Sequence, residues 1–118
     1  MSGTFTYVNP RVIHWGAGSR RQLNEELSRL GVSRVGVVTT RSLADSIERL
    51  GLHPATVVVV GQHAPASHVD AGVEQARRER VDGLVSFGGG SAIDSAKIMS
   101  IRAGGDDLAL PHVAIPTT

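Results

Sequence analysis

Apolar positions along the 118-residue chain alternate between two spacings. Short continuous runs, RVIHW (11–15), RVGVVT (34–39), TVVVV (56–60), GLVSF (83–87) and HVAIP (112–116), have the length and β-branched content of buried strands. Between them apolar residues recur at helical spacing, as Leu23, Leu27 and Leu30, then Leu43, Ile47 and Leu50, then Val69, Val73 and Ala76, and finally Ile93, Ala96 and Ile101. Strand and helix therefore alternate. Uninterrupted runs such as Val57 to Val60 predict strands covered on both faces, and repeated βα units of that kind predict an α/β domain built on a doubly wound, mostly parallel sheet with flanking helices. At this length one domain is expected.

Serine opens each helical stretch, with Gln or Asp three residues later: Ser19/Gln22, Ser42/Asp45, Ser67/Asp70 and Ser91/Asp94. The spacing predicts capping boxes at all four starts. Gly31 and Gly51 fall where the first two helices should end in a left-handed residue.

Composition narrows the functional classes. The chain has no cysteine, which excludes a disulfide scaffold, thiolate zinc ligands and thiol chemistry. The N-terminus lacks the basic-then-apolar order of a leader, and no apolar stretch reaches the roughly 18 residues of a membrane span, so a soluble cytoplasmic protein is expected. Basic and acidic residues are interleaved around a formal charge of +1, and the densest basic cluster, ARRERVD (76–82), splays over several helix faces. With 3% aromatic residues there is no stacking platform, so no nucleic-acid partner is expected.

Residues 84–100, LVSFGGGSAIDSAKIMS, carry three consecutive glycines between a strand and a helix. In open α/β sheets ligands sit beyond the carboxyl ends of strands, and a helix start offers free amides and the positive end of the peptide dipoles. Gly88, Gly89, Gly90 and Ser91 can thus cradle a phosphate; the plain alternative is a tight turn capped by Ser91. The run also predicts positive φ angles or a close neighbour. HWGAGSRRQL offers a second Gly-x-Gly at Gly16 and Gly18, but Arg21 stands where a dinucleotide fingerprint has its third glycine. The five histidines, His14, His53, His63, His68 and His112, show no helical metal spacing, although His63 and His68 flank a loop-to-helix junction that could border a cleft. Asp94 is read first as a helix cap, and Lys97, one turn deeper, faces the sheet edge or solvent.

GGGSAIDSAK followed by HVAIPTT resembles the iron-dependent (group III) alcohol dehydrogenases, and the order of motifs over the whole chain is similar to their N-terminal part. The resemblance implies a Rossmann-like NAD(P)-binding domain over residues 1–118, in which Gly88, Gly89, Gly90 and Ser91, with Asp94, hold the dinucleotide pyrophosphate region. It places Thr117 and Thr118 beside the nicotinamide half and demotes Gly16 and Gly18 to a structural turn. Many members close the VT strand with a carboxylate that binds the adenosine ribose; here Thr40 and Arg41 stand there, which admits NADP beside NAD. The family's divalent metal, iron or zinc, is expected only in a helical C-terminal domain that these 118 residues do not include, so neither metal ligands nor catalytic residues are assigned within them.

The function implied is hydride transfer between NAD(P)H and a small alcohol or carbonyl substrate in the complete enzyme, with this chain alone inactive and a homo-oligomer left open. HWGAGSRRQL with QHAP is also similar to maleylacetate reductases within the family, from whose glycine motif Asp94 departs. A non-catalytic nucleotide-sensing module is the alternative from another class. A receiver-type signalling domain would need acidic residues at its strand ends, and VVTTR and FGGG supply none.

Overall fold

The computed structural model describes residues 11–12, 19–63, 65–104 and 108–117. Its elements are β1 (Arg11–Val12), α1 (Ser19–Arg29), β2 (Val35–Thr40), a 3-10 helix (Arg41–Leu50), β3 (Thr56–Val60), α2 (Ala66–Arg78), β4 (Gly83–Gly88), α3 (Gly90–Ala103) and β5 (His112–Pro116). Every strand pairing is parallel, in the order β1-β5-β4-β2-β3. The alternating pattern has become a single α/β sheet wound on both faces. For the run at 11–15 only Arg11 and Val12 lie within the described residues.

Side-chain alternation along the central strands sorts the core into two clusters. Val35 and Val37 of β2, Val85 and Phe87 of β4, and Val113 and Ile115 of β5 pack with Leu23 and Leu27 of α1 and Leu50 of the 3-10 helix. On the other face Val38, Leu84, Val58 and Val60 pack with Val69, Val73 and Ala76 of α2 and with Ala96 and Met99 of α3. Each fully buried valine or leucine contributes about 1.5–3 kcal/mol, so these two layers hold the sheet between them.

Several local expectations are corrected. β3 is an edge strand: Val58 and Val60 are buried, but Val57 is half-buried and Val59 is 43% exposed, because only the α2 face of this edge is well covered. The stretch from Arg41 winds as a 3-10 helix rather than an α-helix, which sets Ile47 and Leu50 one full turn apart on the core side. In α3 the buried face is Ala92, Ser95, Ala96, Met99 and Ser100, with Ile93 and Ile101 only half-buried. Small residues let this helix lie close to the sheet.

No capping box forms at the three starts whose geometry is described. The caps are Thr40, Pro65 and Gly89, none making a side-chain cap hydrogen bond, so Ser42, Ser67 and Ser91 lie inside their helices. Ser42 Oγ pairs with Thr40 Oγ1 (3.3 Å), and Asp70 with Arg102 (2.7 Å). Ser19 begins α1, and its side chain lies outside the described residues. The stop signals do form, with Gly31 at φ +76° and Gly51 at φ +69°.

Asp82 locks the amino ends of β2 and β4 together. Its carboxylate accepts from the Arg34 amide (2.8 Å), the Ser33 amide (3.1 Å) and the Ser33 hydroxyl (2.9 Å), while its own amide donates to the Arg34 carbonyl (2.9 Å). Partial burial by itself raises the carboxyl pKa, but these bonds, led by the Arg34 amide, bring it below the ordinary aspartate value.

Candidate functional site

The strand ends opposite Asp82 are level. Thr39 is in register with Phe87, Thr40 with Val60, and Gly88 with Pro116, so four parallel strands leave the sheet side by side. β2 leads outward through the 3-10 helix to β3, whereas β4 leads through α3 to β5 on the opposite side. Between β2 and β4 the winding therefore reverses. An open sheet has its crevice at this point. Thr39 Oγ1 donates to the Phe87 carbonyl (2.8 Å) beneath it, fixing the spacing of the two strands.

A cleft of about 430 Å³ opens there, lined by Thr40, Arg41 and Ser42 after β2, by Val60, Gly61 and Gln62 after β3, and by Gly89, Gly90 and Ser91 after β4. Six of the nine residues expected at a cofactor site are gathered in this way: Thr40, Arg41, Gly89, Gly90 and Ser91 in the lining and Gly88 at the strand end behind it. No described lining residue is acidic. Arg41 is exposed and forms no ion pair with a described residue.

The three glycines have three different conformations and reasons. Gly88, at φ +150°, makes the turn out of β4, and a Cβ on it would stand 3.2 Å from Ala92 Cβ. Gly89 is extended at φ −88°, so the expectation of positive φ holds at Gly88 alone. Gly90 is the first residue of α3, has no positive φ, and a Cβ on it would meet nothing within 4 Å. Neither backbone nor packing requires glycine there.

At the α3 start no side chain caps the amides, which at any helix N-terminus lack intrahelical partners. Ser91 Oγ accepts a hydrogen bond from the His63 amide (3.1 Å), tying the loop after β3 to the glycine loop. His63 adopts φ +65° to do so, and the Gly61 amide donates to His68 Nδ1 (2.9 Å). The two histidines thus hold the cleft's third wall, through backbone and ring respectively. That role could have been suspected from their flanking position, but not its bonds.

Other expected residues fall outside the lining. Asp94 is exposed on α3 and caps nothing, since Gly89 occupies the cap position. Thr117 is exposed one residue beyond Pro116, the register partner of Gly88, on the same sheet edge. Gly16, Gly18 and Thr118 lie outside the described residues. Lys97 is half-buried and close enough to His112 for its charge to act on that ring. His112, on β5, shares a 2.8 Å hydrogen bond through Nε2 with Ser86, while Nδ1 is buried without a partner among the described residues. Burial first, and the Lys97 charge second, push its imidazole down to about 4. Among the described residues no group of three or more His, Cys, Asp or Glu could hold a metal, and no helix is long and apolar enough to cross a membrane.

Fold and site together define an open α/β domain with a glycine loop and a cleft at the point where its winding reverses. Residues 10–118 match the model of the iron-containing alcohol dehydrogenase family, and the chain belongs to that oxidoreductase family. A maleylacetate reductase of Pseudomonas sp. (strain P51) is 39% identical over 94% of this chain, which spans about a third, 31%, of that relative's length. The crystal structure of an iron-containing alcohol dehydrogenase from Corynebacterium glutamicum superposes with a TM-score of 0.79 at 28% identity, covering 100% of this chain and 33% of that one. The fold is also that of a sulfoacetaldehyde reductase from Bifidobacterium kashiwanohense solved in complex with NAD+, with a TM-score of 0.78 at 23% identity over 99% of this chain and 37% of that chain.

Proposed function

We propose that residues 1–118 form the NAD(P)-binding domain of an oxidoreductase that moves a hydride between the nicotinamide cofactor and a small alcohol or carbonyl substrate. The observation that carries this reading is Gly90, a glycine that the chain's own geometry does not need, at the mouth of the cleft and the start of α3. The empty space beside it is what a pyrophosphate would fill, and the uncapped amides of α3, together with a lining whose described residues include no acid, fit an anionic group.

Bound there, the nicotinamide supplies the hydride chemistry. This chain's residues bind and orient the cofactor. Gly89 and Gly90 let the backbone approach the pyrophosphate, and Ser91, whose oxygen already accepts from the His63 amide, keeps its own O–H to donate. Gly88 shapes the turn, Thr40 and Arg41 would face the adenosine ribose, Asp94 stands a helical turn behind the loop, and Thr117 and Thr118 would serve the nicotinamide half. Iron or zinc is proposed to be held by the helical part of a full-length family member. The chain alone is then expected to bind dinucleotide weakly and to turn over no alcohol. The protein is proposed to act in the cytoplasm.

The 39% identity to a maleylacetate reductase, against 28% and 31% for two structures described as alcohol dehydrogenases, favours maleylacetate as the substrate in a second reading. The test of the domain's role is Gly90→Val. Calorimetry with NAD+ and NADP+ should show binding by the parent chain and none by the variant, while circular dichroism is unchanged. Equal binding by the two proteins would refute the cradle.

A further inference from the structure

The cleft's third wall, the loop after β3, is held at both ends by bonds outside the sheet ladder. The Gly61 amide donates to His68 Nδ1 (2.9 Å), and the His63 amide donates to Ser91 Oγ (3.1 Å). A backbone amide only donates, so Nδ1 accepts with its lone pair and the His68 ring is neutral, its proton on Nε2. Two features of the loop are shaped around this arrangement. Gly61 has no positive φ, yet a Cβ on it would stand 3.0 Å from His68 Cε1 and 3.2 Å from Nδ1, so glycine there gives the ring its approach. His63 sits at φ +65°, a left-handed conformation that persists in a non-glycine residue where surrounding bonds impose it. The ring is anchored on the first turn of α2, where the His68 amide donates to the Pro65 carbonyl (2.9 Å).

Resting on the dinucleotide reading above, we infer that His68 is a positioning residue for the cleft: its neutral ring latches the turn at residues 61–63 against the glycine loop, and protonation of the ring releases that wall and weakens dinucleotide binding. An imidazolium carries hydrogen on both nitrogens and leaves the Gly61 amide without its acceptor. Gly61 and Gln62 line the cleft, and the far end of the turn orients the Ser91 hydroxyl, so lining and donor both depend on the latch. The titratable groups on the surrounding elements are His63 in the same loop, Asp70 and Glu74 on α2, Asp94 and Lys97 on α3, and Arg41 across the cleft. Asp70 pairs with Arg102, and none of the six forms an ion pair with His68 among the described residues. Added positive charge alone would tighten an anion, whereas loss of the bond loosens it, so the sign of the pH effect tells the two apart.

Calorimetry of NAD+ on the 118-residue chain at about pH 8 and about pH 5.5 spans the range in which histidine changes charge, while the pyrophosphate keeps its charge throughout. The parent is expected to bind about fivefold more weakly at the lower pH. His68→Ala should bind weakly at both. His68→Asn, whose Oδ1 takes the place of Nδ1 as an acceptor and does not titrate, should match the parent at the higher pH and keep that affinity at the lower one. Any effect of His63 or of the carboxylates persists in the asparagine variant and is subtracted by it. His68 is exposed, so circular dichroism can check that each variant keeps its fold. If the parent binds NAD+ as tightly at the lower pH, or if His68→Asn loses affinity there as the parent does, the latch is overturned and the dinucleotide reading stands. If NAD+ binds at neither pH, both fall.

Discussion

Gly88 and Gly90 are two residues apart and respond oppositely to substitution. At Gly88 a side chain would have to adopt φ +150° with its Cβ 3.2 Å from Ala92 and 3.4 Å from Leu43. Gly88→Val is expected to cost about 1–3 kcal/mol of stability, read as a shift in the denaturant midpoint. Gly90→Ala meets no neighbour and replaces glycine in the first turn of a helix, so it should be neutral or stabilising by up to about 1 kcal/mol. Its nucleotide affinity should nevertheless drop. Thermal unfolding and calorimetry on the two variants separate a structural from a ligand-imposed glycine, and a Gly90→Ala protein less stable than the parent would contradict the assignment. Sequence reading treats GGGS as one unit. Only the backbone angles show that its glycines do different things.

At the scale of elements, the starts of β2 and β4 depend on one carboxylate. Asp82→Ala leaves the Ser33 and Arg34 amides without their acceptor at the end of the sheet opposite the cleft. A loss of about 1–3 kcal/mol in denaturant unfolding is expected. The Asp82 pKa is depressed in the folded state, so its stabilisation is complete above the unfolded aspartate pKa and is lost as pH falls through the folded value. Asp82→Asn should therefore flatten the acid limb of stability while leaving the cleft and its ligand affinity intact. The sequence shows why such contacts escape prediction: Asp82 bonds to Ser33 and Arg34, 49 and 48 residues away, and only parallel pairing of β2 with β4 brings them together. Local spacing was misleading in the same way at the helix starts. Ser91 and Asp94 have the spacing of a capping box, yet β4 delivers the chain so that Gly89 takes the cap and Ser91 is spent on the His63 amide.

For the molecule as a whole, His112 gives a pH signature. Its imidazole titrates near 4 when folded, while the unfolded chain takes up that proton near 6.5. Between those values the unfolded state binds more protons, so stability is full above about pH 6.5 and falls as pH is lowered toward about 4, by about 3 kcal/mol at most. His112→Gln should remove this slope, measurable from urea midpoints across that range, and an unchanged slope would assign the acid sensitivity elsewhere. A second whole-molecule expectation concerns metal. No described cluster could hold one, so elemental analysis of the purified chain should find no stoichiometric iron or zinc, and an NAD(P)-linked alcohol assay no turnover.

The sequence by itself determined what depends on neighbours along the chain. Alternating apolar spacings identify strands 34–39, 56–60, 83–87 and 112–116 and the helices between them, because burial on a strand or helix imposes periods of two or 3.6 residues. The glycine loop was legible for the same reason, since a strand-glycine-helix order is local. Tertiary structure decided everything that depends on strand order. It made β3 an edge with Val59 exposed, placed β2 beside β4 so that Thr40–Ser42 and Gly89–Ser91 share one cleft, and set Gly61 and Gln62 as its third wall. Hydrophobic spacing is blind to which strands are adjacent, because each strand satisfies its pattern against either neighbour; the crossover of α2 past β2 selects one order, and with it the site.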